Sequence, residues 1–453
     1  MKHRRPLAIC LCAIFLTLAT HLPAQEKRLL TLQEAVELSL KNSKQLKSSQ
    51  AKIEEATAAL KEAVQQRLPE ARVSGSYLRL NKPNVDLKVK SNNSGGSGGA
   101  GNTNTPQPSE AMYGIANFSL PLFGGFRIKY GIESARYLEQ AARLDAENDR
   151  EEMILNTIDA YNNLYKSGAA VDLVKENLQS ARQRAAEFSN LEKNGLLPRN
   201  DLLKAQLQVS NTELALLDAQ NNWKLANINM DLMLGLPETT ELAIDSASLG
   251  AIVSVKGLDD YVQSALQNRK DLSAVDYRKK AASSAVKAAQ AEKYPGLAVT
   301  GGYVALRVPQ VLTVTNAVNL GLGVQYSLSS LWKNKARVQQ AEARERQAAA
   351  GQELLADAIR LQVNQAYQNY LSSQKKIDVF AKAVEQANEN YRIIKNKFAN
   401  SLATTTELLD ADVAQLQARM NFAFAQSDAV VAYNKLLQSA GMLTGAETKS
   451  TNQ

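Results

Sequence analysis

The sequence predicts an internally duplicated α+β membrane protein. Two copies of one unit each carry long α-helical hairpins and two strands of membrane type. Three observations predict it: the chain repeats itself, its prolines leave two very long gaps, and short segments alternate with a period of two. The repeat comes first. Leu68-Pro69 through Gly75-Ser76-Tyr77 returns 226 residues later as Tyr294-Pro295 through Gly301-Gly302-Tyr303. Ala160-Tyr161-Asn162-Asn163 returns 206 residues later as Ala366-Tyr367-Gln368-Asn369, and Leu202-Leu203 matches Leu408-Leu409 at that same offset. Leu234-Gly235 matches Ala440-Gly441. A stable long offset means two copies of one structural unit. The change in offset assigns about 20 extra residues to the first copy, among them the Gly/Ser/Asn run from Ser91 to Pro108. The copies are expected at 25–235 and 258–441, with a linker at 236–257 and a disordered polar tail at 442–453.

The first residues are expected to be removed. Lys2, Arg4 and Arg5 precede a short apolar run, Leu7 to Ala19, and Leu22-Pro23-Ala24 offers a small-residue cleavage point. This is the pattern of a secretory signal peptide, residues 1–24. The run is too short to span a bilayer as a helix, which takes about 20 residues. Both cysteines (Cys10, Cys12) and both histidines (His3, His21) lie inside it. The processed chain is thereby stripped of thiol nucleophiles, disulfides, zinc ligands of the usual kind and histidine base catalysis. No spaced carboxylate or Ser/Lys motif replaces them, so the expectation is no enzyme, no cofactor and no metal. Neither cysteine follows the small-residue pattern that precedes a lipidated one.

The formal net charge is +8, of which the leader supplies three. Basic and acidic residues alternate along the helical segments, which reads as solvated faces. Nucleic-acid binding calls for clustered Lys/Arg with aromatic platforms, and none is present.

Of the 11 prolines, none falls between Leu122 and Leu197 and none follows Pro309. Proline in a helix interior costs roughly 3 kcal/mol or more. The gaps are rich in Ala, Leu, Gln, Glu, Lys and Arg, the strong helix formers. Phe126 to Lys193 and Lys333 to Asn400 are each 68 residues. At about 1.5 Å per residue, each makes a helix of about 100 Å. Ile154, Ile158, Tyr161 and Tyr165, then Ile359, Val363, Ala366 and Tyr370, recur at helical spacing. Shorter helices are expected at Leu32 to Arg67, Leu258 to Lys293, Asp201 to Leu234 and Glu407 to Ala440. Patterns this long suggest coiled-coil packing.

Each half holds two strands. Val318, Leu320, Leu322, Val324, Tyr326 and Leu328 interleave with Asn319, Gly321, Gly323, Gln325 and Ser327. The counterpart is Met112, Ala116, Phe118 and Leu120, interleaved with Tyr113, Asn117 and Ser119. Two less regular segments span about Ala71 to Leu80 and Gly296 to Val308. Such alternation marks a transmembrane β-strand, or equally a half-buried hairpin on a soluble domain. An open sheet cannot sit in lipid, so four membrane strands imply several copies sharing one barrel. Two copies make eight strands with a filled interior; three make twelve with a lumen.

With these features assembled, the chain resembles the TolC family of outer-membrane efflux proteins from about Leu30 to Gly441. Three local matches carry the resemblance. Phe118-Ser119-Leu120-Pro121-Leu122-Phe123-Gly124-Gly125 resembles the family's strand-to-helix junction. Asn194-Gly195 followed by Asp201-Leu202-Leu203 resembles its first helical tip, and Asn400-Ser401 followed by Glu407-Leu408-Leu409-Asp410 the second. The resemblance implies a homotrimer: a 12-strand barrel in outer-membrane lipid, continuing into a periplasmic α-barrel. It implies a passive exit duct for efflux or type I secretion, working with a periplasmic adaptor protein and an inner-membrane pump. A periplasmic coiled coil or adhesive protein without channel activity is the alternative.

The resemblance also places a gate at the tips. Asp201 falls on an acidic gate position in the first repeat, Glu407 and Asp410 on the paired positions in the second. Three protomers would ring one axis with like charges and attract cations. Helix capping is the other reading, because Thr404-Thr405-Thr406-Glu407 is a capping box and Asn200-Asp201 can begin a helix. Ala403 stands where some relatives carry a gate arginine, Phe398 where they carry a gate tyrosine, and Ser401 where the tip glycine is usual. Arg199 is the candidate for a substitute contact with Asp201. The expected adaptor surface is Asn194, Gly195, Leu196, Leu197 and Pro198 in one tip and Asn400, Ser401, Leu402, Ala403 and Thr404 in the other, with exposed leucines awaiting a partner. A tight turn with buried leucines is the plainer reading.

Overall fold

The computed structural model describes residues 28–81, 108–244, 255–309 and 311–443. The expected signal peptide (1–24), nearly all of the Gly/Ser run before Pro108 and most of the expected tail lie outside the described residues. The element order is β1 (Arg28–Leu30), α1 (Leu32–Asn42), α2 (Lys44–Gln65), β2 (Glu70–Arg79), β3 (Glu110–Gly124), α3 (Arg127–Lys193) and α4 (Arg199–Leu234). It continues with β4 (Leu242–Ile244), α5 (Leu258–Asn268), α6 (Lys270–Ala291), β5 (Gly296–Val308), β6 (Leu312–Gln325), α7 (Ser330–Ala399) and α8 (Thr405–Ser439). The chain divides into two compact units: Met1–Ala51, Leu144–Ser273 and Leu354–Gln453 in one, Lys52–Arg143 and Ala274–Glu353 in the other.

The second of these units holds one antiparallel sheet in the order β2-β3-β5-β6. Its register gathers one apolar face and one mixed face. Val73 pairs with Ala116, Ala116 with Tyr303 and Tyr303 with Val318, and the next such row runs from Ala71 through Phe118 and Gly301 to Leu320. Pairs directly opposite share a face, so these rows build an apolar side. The intervening rows carry Arg72, Asn117, Gly302 and Asn319, then Ser74, Ile115, Val304 and Ala317. A Cβ added at Gly302 would meet the Asn319 and Asn117 side-chain oxygens at 2.9 and 3.3 Å, so small and amide groups crowd that side. The apolar face is bare in the single chain: Val318, Leu320, Leu322 and Val324 are 72–79% exposed. β2 and β6 are both edges. The strand expected to reach Leu328 stops at Gln325, since Leu328 and Ser329 already turn into α7.

The other unit is helical around two apolar clusters. One gathers Val36 of α1, Ile154 and Ile158 of α3, Tyr261 and Ala265 of α5, Ile359, Val363 and Tyr370 of α7, and Leu436 of α8. The other gathers Leu30, Ala35, Tyr161, Leu164, Met230, Leu234 and Leu242. All the residues expected on the inward stripes of α3 and α7 are buried except Tyr165, which is half-buried. Leu443 is 2% exposed and belongs to the first cluster, so the packed chain extends past the expected start of the tail.

Two helices expected to be continuous are each broken. Ser43 (φ −56°, ψ 121°) separates α1 from α2, and Arg269 (φ −64°, ψ 129°) separates α5 from α6, at equivalent places in the repeat. Tertiary contacts explain both. Gly235 ends α4 in the left-handed region at φ 71°, where only glycine is free of strain, and a Cβ there would meet Asn42 Cβ at 2.9 Å. Asn42 Nδ2 donates to the Leu234 carbonyl at 2.6 Å. In the second copy Gly441 (φ 66°) abuts the Arg269 amide, and Arg269 Nη1 donates to the Ser439 carbonyl at 3.3 Å. The helix end of one hairpin thus seats the break of another. The expected linker contains β4, which pairs in parallel with β1, Arg28 to Leu242 and Leu30 to Ile244. Strands of three residues are too short to show a period.

Candidate functional site

Both tips are built on one plan. Asn194 Nδ2 donates to the Asn190 carbonyl at 2.7 Å, and Asn400 Nδ2 to the Asn396 carbonyl at 2.8 Å. The Leu196 amide reaches back to the Leu191 carbonyl, and the Leu402 amide to the Lys397 carbonyl. The residue between is left-handed in each case: Gly195 at φ 70° and Ser401 at φ 59°. Ser401 carries a Cβ into a conformation that costs roughly 1–2 kcal/mol outside glycine.

The leucines divide. Leu196 and Leu402 are 73% and 75% exposed, so the buried-turn reading fails for them. Leu197, expected to be exposed, is half-buried against a cluster of Phe188, Leu202, Ala205 and Leu408. Phe398 joins the same cluster and stacks on Phe188, ring centroids 5.2 Å apart at 24°. Its ring packs between α3 and α7.

The acidic residues also divide. Glu407 is the partner in a complete capping box: its amide donates to Thr404 Oγ1 at 3.2 Å, and its Oε2 accepts from the Thr404 amide at 2.7 Å. That backbone bond, then the Thr404 hydroxyl, holds its carboxyl below the ordinary carboxylate range. Asp201 takes no cap. Pro198 is the N-cap of α4 without a side-chain bond, and Asp201 sits in the first turn, favoured by the helix dipole. Its Oδ1 accepts from Lys204 Nζ at 3.2 Å, and the same Nζ reaches Thr406 Oγ1 at 3.2 Å. Lys204 therefore links the two tips and does what was expected of Arg199, which is exposed and pairs with no carboxylate among the described residues. Asp410 is exposed and, among the described residues, makes no ion pair. Ala403 is half-buried.

A polar cluster absent from the sequence reading lies behind the tip. Arg184 of α3 donates from Nη1 and Nη2 to the two oxygens of Asp412 of α8, at 3.1 and 3.0 Å. Their side chains are 8% and 3% exposed. Arg184 Nη2 also donates to Tyr391 Oη at 3.0 Å, and Asn177 Nδ2 to Asp412 at 3.2 Å. Burial opposes the Arg184 charge, but the bonds and field of Asp412 outweigh it and raise its pKa. The signal was present: Arg184 lies on the buried stripe with Ala181 and Phe188, and Asp412 on the stripe with Thr405 and Leu408.

The sequence matches the family described as outer membrane efflux protein over residues 35–236 and 261–442. The chain belongs to that family. The fold agrees. The outer-membrane channel OprN superposes with a TM-score of 0.73 at 20% identity, covering 90% of this chain and 89% of the other. VceC from Vibrio cholerae gives 0.73 at 19% over 90% and 96%, and the CmeC channel of Campylobacter jejuni 0.72 at 17% over 92% and 88%. No curated protein matches the sequence. As an outer-membrane efflux protein, the chain is an exit duct. No helix among the described residues is long and apolar enough to cross a membrane. In this efflux protein the four-stranded sheet carries one bare apolar face.

Proposed function

We propose that three copies of this chain close one twelve-stranded barrel in the outer membrane and one helical duct in the periplasm, reached after removal of residues 1–24. A single observation carries this reading. The sheet has two edges, β2 and β6, unpaired among the described residues, and an apolar face bare to the surroundings opposite a mixed face that carries Arg72, Asn117, Asn319 and Ser74 beside Ile115 and Val304. Pairing β6 of one copy with β2 of the next removes every edge, and only a closed sheet is tolerated in lipid. Twelve strands leave a lumen, lined by the mixed face.

The duct is passive. Asp201 and Asp410 are proposed to ring its periplasmic mouth and favour cations. Glu407 serves first as a cap. The exposed Leu196 and Leu402, with the tip turns around them, are proposed to dock a periplasmic adaptor that connects the duct to an inner-membrane pump; efflux and type I secretion both fit this arrangement. The test is fractionation of the processed protein followed by planar-bilayer recording. Outer-membrane location, a trimer on native mass measurement and discrete conductance steps are expected. A soluble monomer without conductance would sink the reading in favour of a periplasmic coiled coil.

A further inference from the structure

Where the sheet gives way to the helices, a cleft of about 530 Å³ opens between the ends of β3, β5 and β6 and the start of α7. Its sheet lining is Gly124, Gly296 and Gln325. Gly124 pairs with Gly296 and Gly296 with Gln325. That row lies on the mixed face, an even number of residues along β5 and β6 from Gly302 and Asn319. Three cations line the same cleft: Arg127, Lys333 and Arg337. Glu292, the one carboxylate in that lining among the described residues, pairs with Arg337. Arg127 and Lys333 are exposed and have no carboxylate partner among the described residues. Elsewhere on the mixed face Glu70 accepts from Arg72 at 2.7 Å, so that pair adds no net charge. The cleft keeps an excess of positive charge.

Helix electrostatics argue against this placement. Arg127 is the first residue of α3 and Lys333 lies in the first turn of α7, and neither first turn holds an acidic residue. A helix N-terminus carries about half a positive charge, so a cation there is disfavoured by roughly 0.3–1 kcal/mol. Neither side chain gains an ion pair among the described residues in return. Residues set against a local rule without a compensating contact are expected at functional sites.

We propose that Arg127 and Lys333, with the paired Arg337 beside them, form a cationic collar on the lumen that favours anionic solutes where the sheet meets the helices. The inference rests on the reading that three copies enclose a lumen along the mixed face. Each copy then turns two unpartnered cations toward one shared axis. The positive ends of α3 and α7 add to their field. A water-filled neck of one sign gathers counter-ions, here chloride and the carboxylate or phosphate groups of solutes in transit. Arg127 and Lys333 are thus specificity-determining residues of the duct.

The test is planar-bilayer recording of the full trimer under a gradient of potassium chloride at low salt. Arg127→Gln with Lys333→Gln is expected to move the reversal potential toward cations, the potassium-to-chloride permeability ratio rising on the order of twofold or more. The shift is read against wild type, so the acidic mouth does not obscure it. At molar salt, where the screening length falls to about 3 Å, the difference should shrink. Lys129→Gln is the control. It removes the same charge two residues from Arg127, but Lys129 lines a separate cleft of about 230 Å³ beside the exposed Leu122, Phe123 and Phe126. It should leave the potential unchanged. A second variant, Lys333→Cys, uses the confinement of Cys10 and Cys12 to the expected leader. Labelled in the open channel, it should regain the wild-type potential with a cationic thiosulfonate and move further toward cations with an anionic one. A double variant with the wild-type potential, an equal shift from Lys129→Gln, or a thiol indifferent to the reagent's charge overturns the collar. Wild type that forms no trimer or no conducting pore would instead defeat the duct reading beneath it.

Discussion

Arg184 and Asp412 hold each other through two parallel hydrogen bonds, 3.0 and 3.1 Å long, with neither side chain a tenth exposed. One belongs to α3 and the other to α8, so the pair fastens the first hairpin to the second just behind the tips. Removing one partner strands a buried charge, which costs about 3–5 kcal/mol. Arg184→Met and Asp412→Leu should each lower the melting temperature sharply, and the double variant should recover most of the loss. A cycle of thermal melts decides it; additive losses would show the pair to be uncoupled.

Asp231 is fully buried near the end of α4. Its Oδ2 accepts from Asn227 Nδ2 at 2.8 Å, and its Oδ1 has no hydrogen-bond partner among the described residues. Burial first, and Glu238 second, push its pKa up to about 6. The folded state therefore holds its proton to higher pH than the unfolded chain does. This group's contribution is most favourable below about pH 4 and is lost as pH rises to about 6. Asp231→Asn should raise stability at pH 7.5 by up to roughly 3 kcal/mol and change it little at pH 4. Denaturant midpoints at the two pH values test this.

The second tip should tolerate glycine better than its own serine. Ser401 is left-handed, as Gly195 is at the equivalent place. Ser401→Gly should stabilise by roughly 1 kcal/mol, because the Cβ strain outweighs the added chain entropy. Thr404→Ala should cost about 1 kcal/mol through loss of the cap. A melt in which either variant moves the opposite way would contradict the tip geometry.

Charge at the mouth is tested by Asp201→Ala with Asp410→Ala. Single-channel recordings are expected to show higher conductance or weaker cation preference. Unchanged traces would remove both residues from the gate. Glu407→Gln is expected to have a smaller effect on conductance, since Glu407 is engaged with Thr404 at 2.7 Å.

On the sheet, Leu320→Arg places a charge on the proposed lipid face and should cost about 2–4 kcal/mol at mid-depth. Asn319→Arg, one residue along and on the opposite face, should insert normally. Equal insertion yields from the two would mean that the faces are not divided between lipid and lumen.

Much of this was legible in the chain. The length of α3 and α7 followed from missing prolines, and the faces of β6 from a period of two. The break at Ser43 had a local signal, since its Oγ accepts from the Leu46 amide at 3.1 Å and caps α2, whereas Arg269 carries none and its break coincides with the packed helix end at Gly441. The stacking of Phe398 on Phe188 was not legible either, because the two rings lie far apart in the chain and meet only when α3 packs on α7. Arg199 stood beside Asp201 in sequence, but Lys204, one helical turn on, reaches it.

By itself the sequence determined the repeat, the long helices, the strand faces and the family, since these rest on local periodicity and on residues that forbid a helix. Only the tertiary structure decided which charges meet. Arg184 and Asp412 are 228 residues apart, and the pairing of such distant groups is set by which stripes the apolar contacts bring together, not by any spacing along the chain.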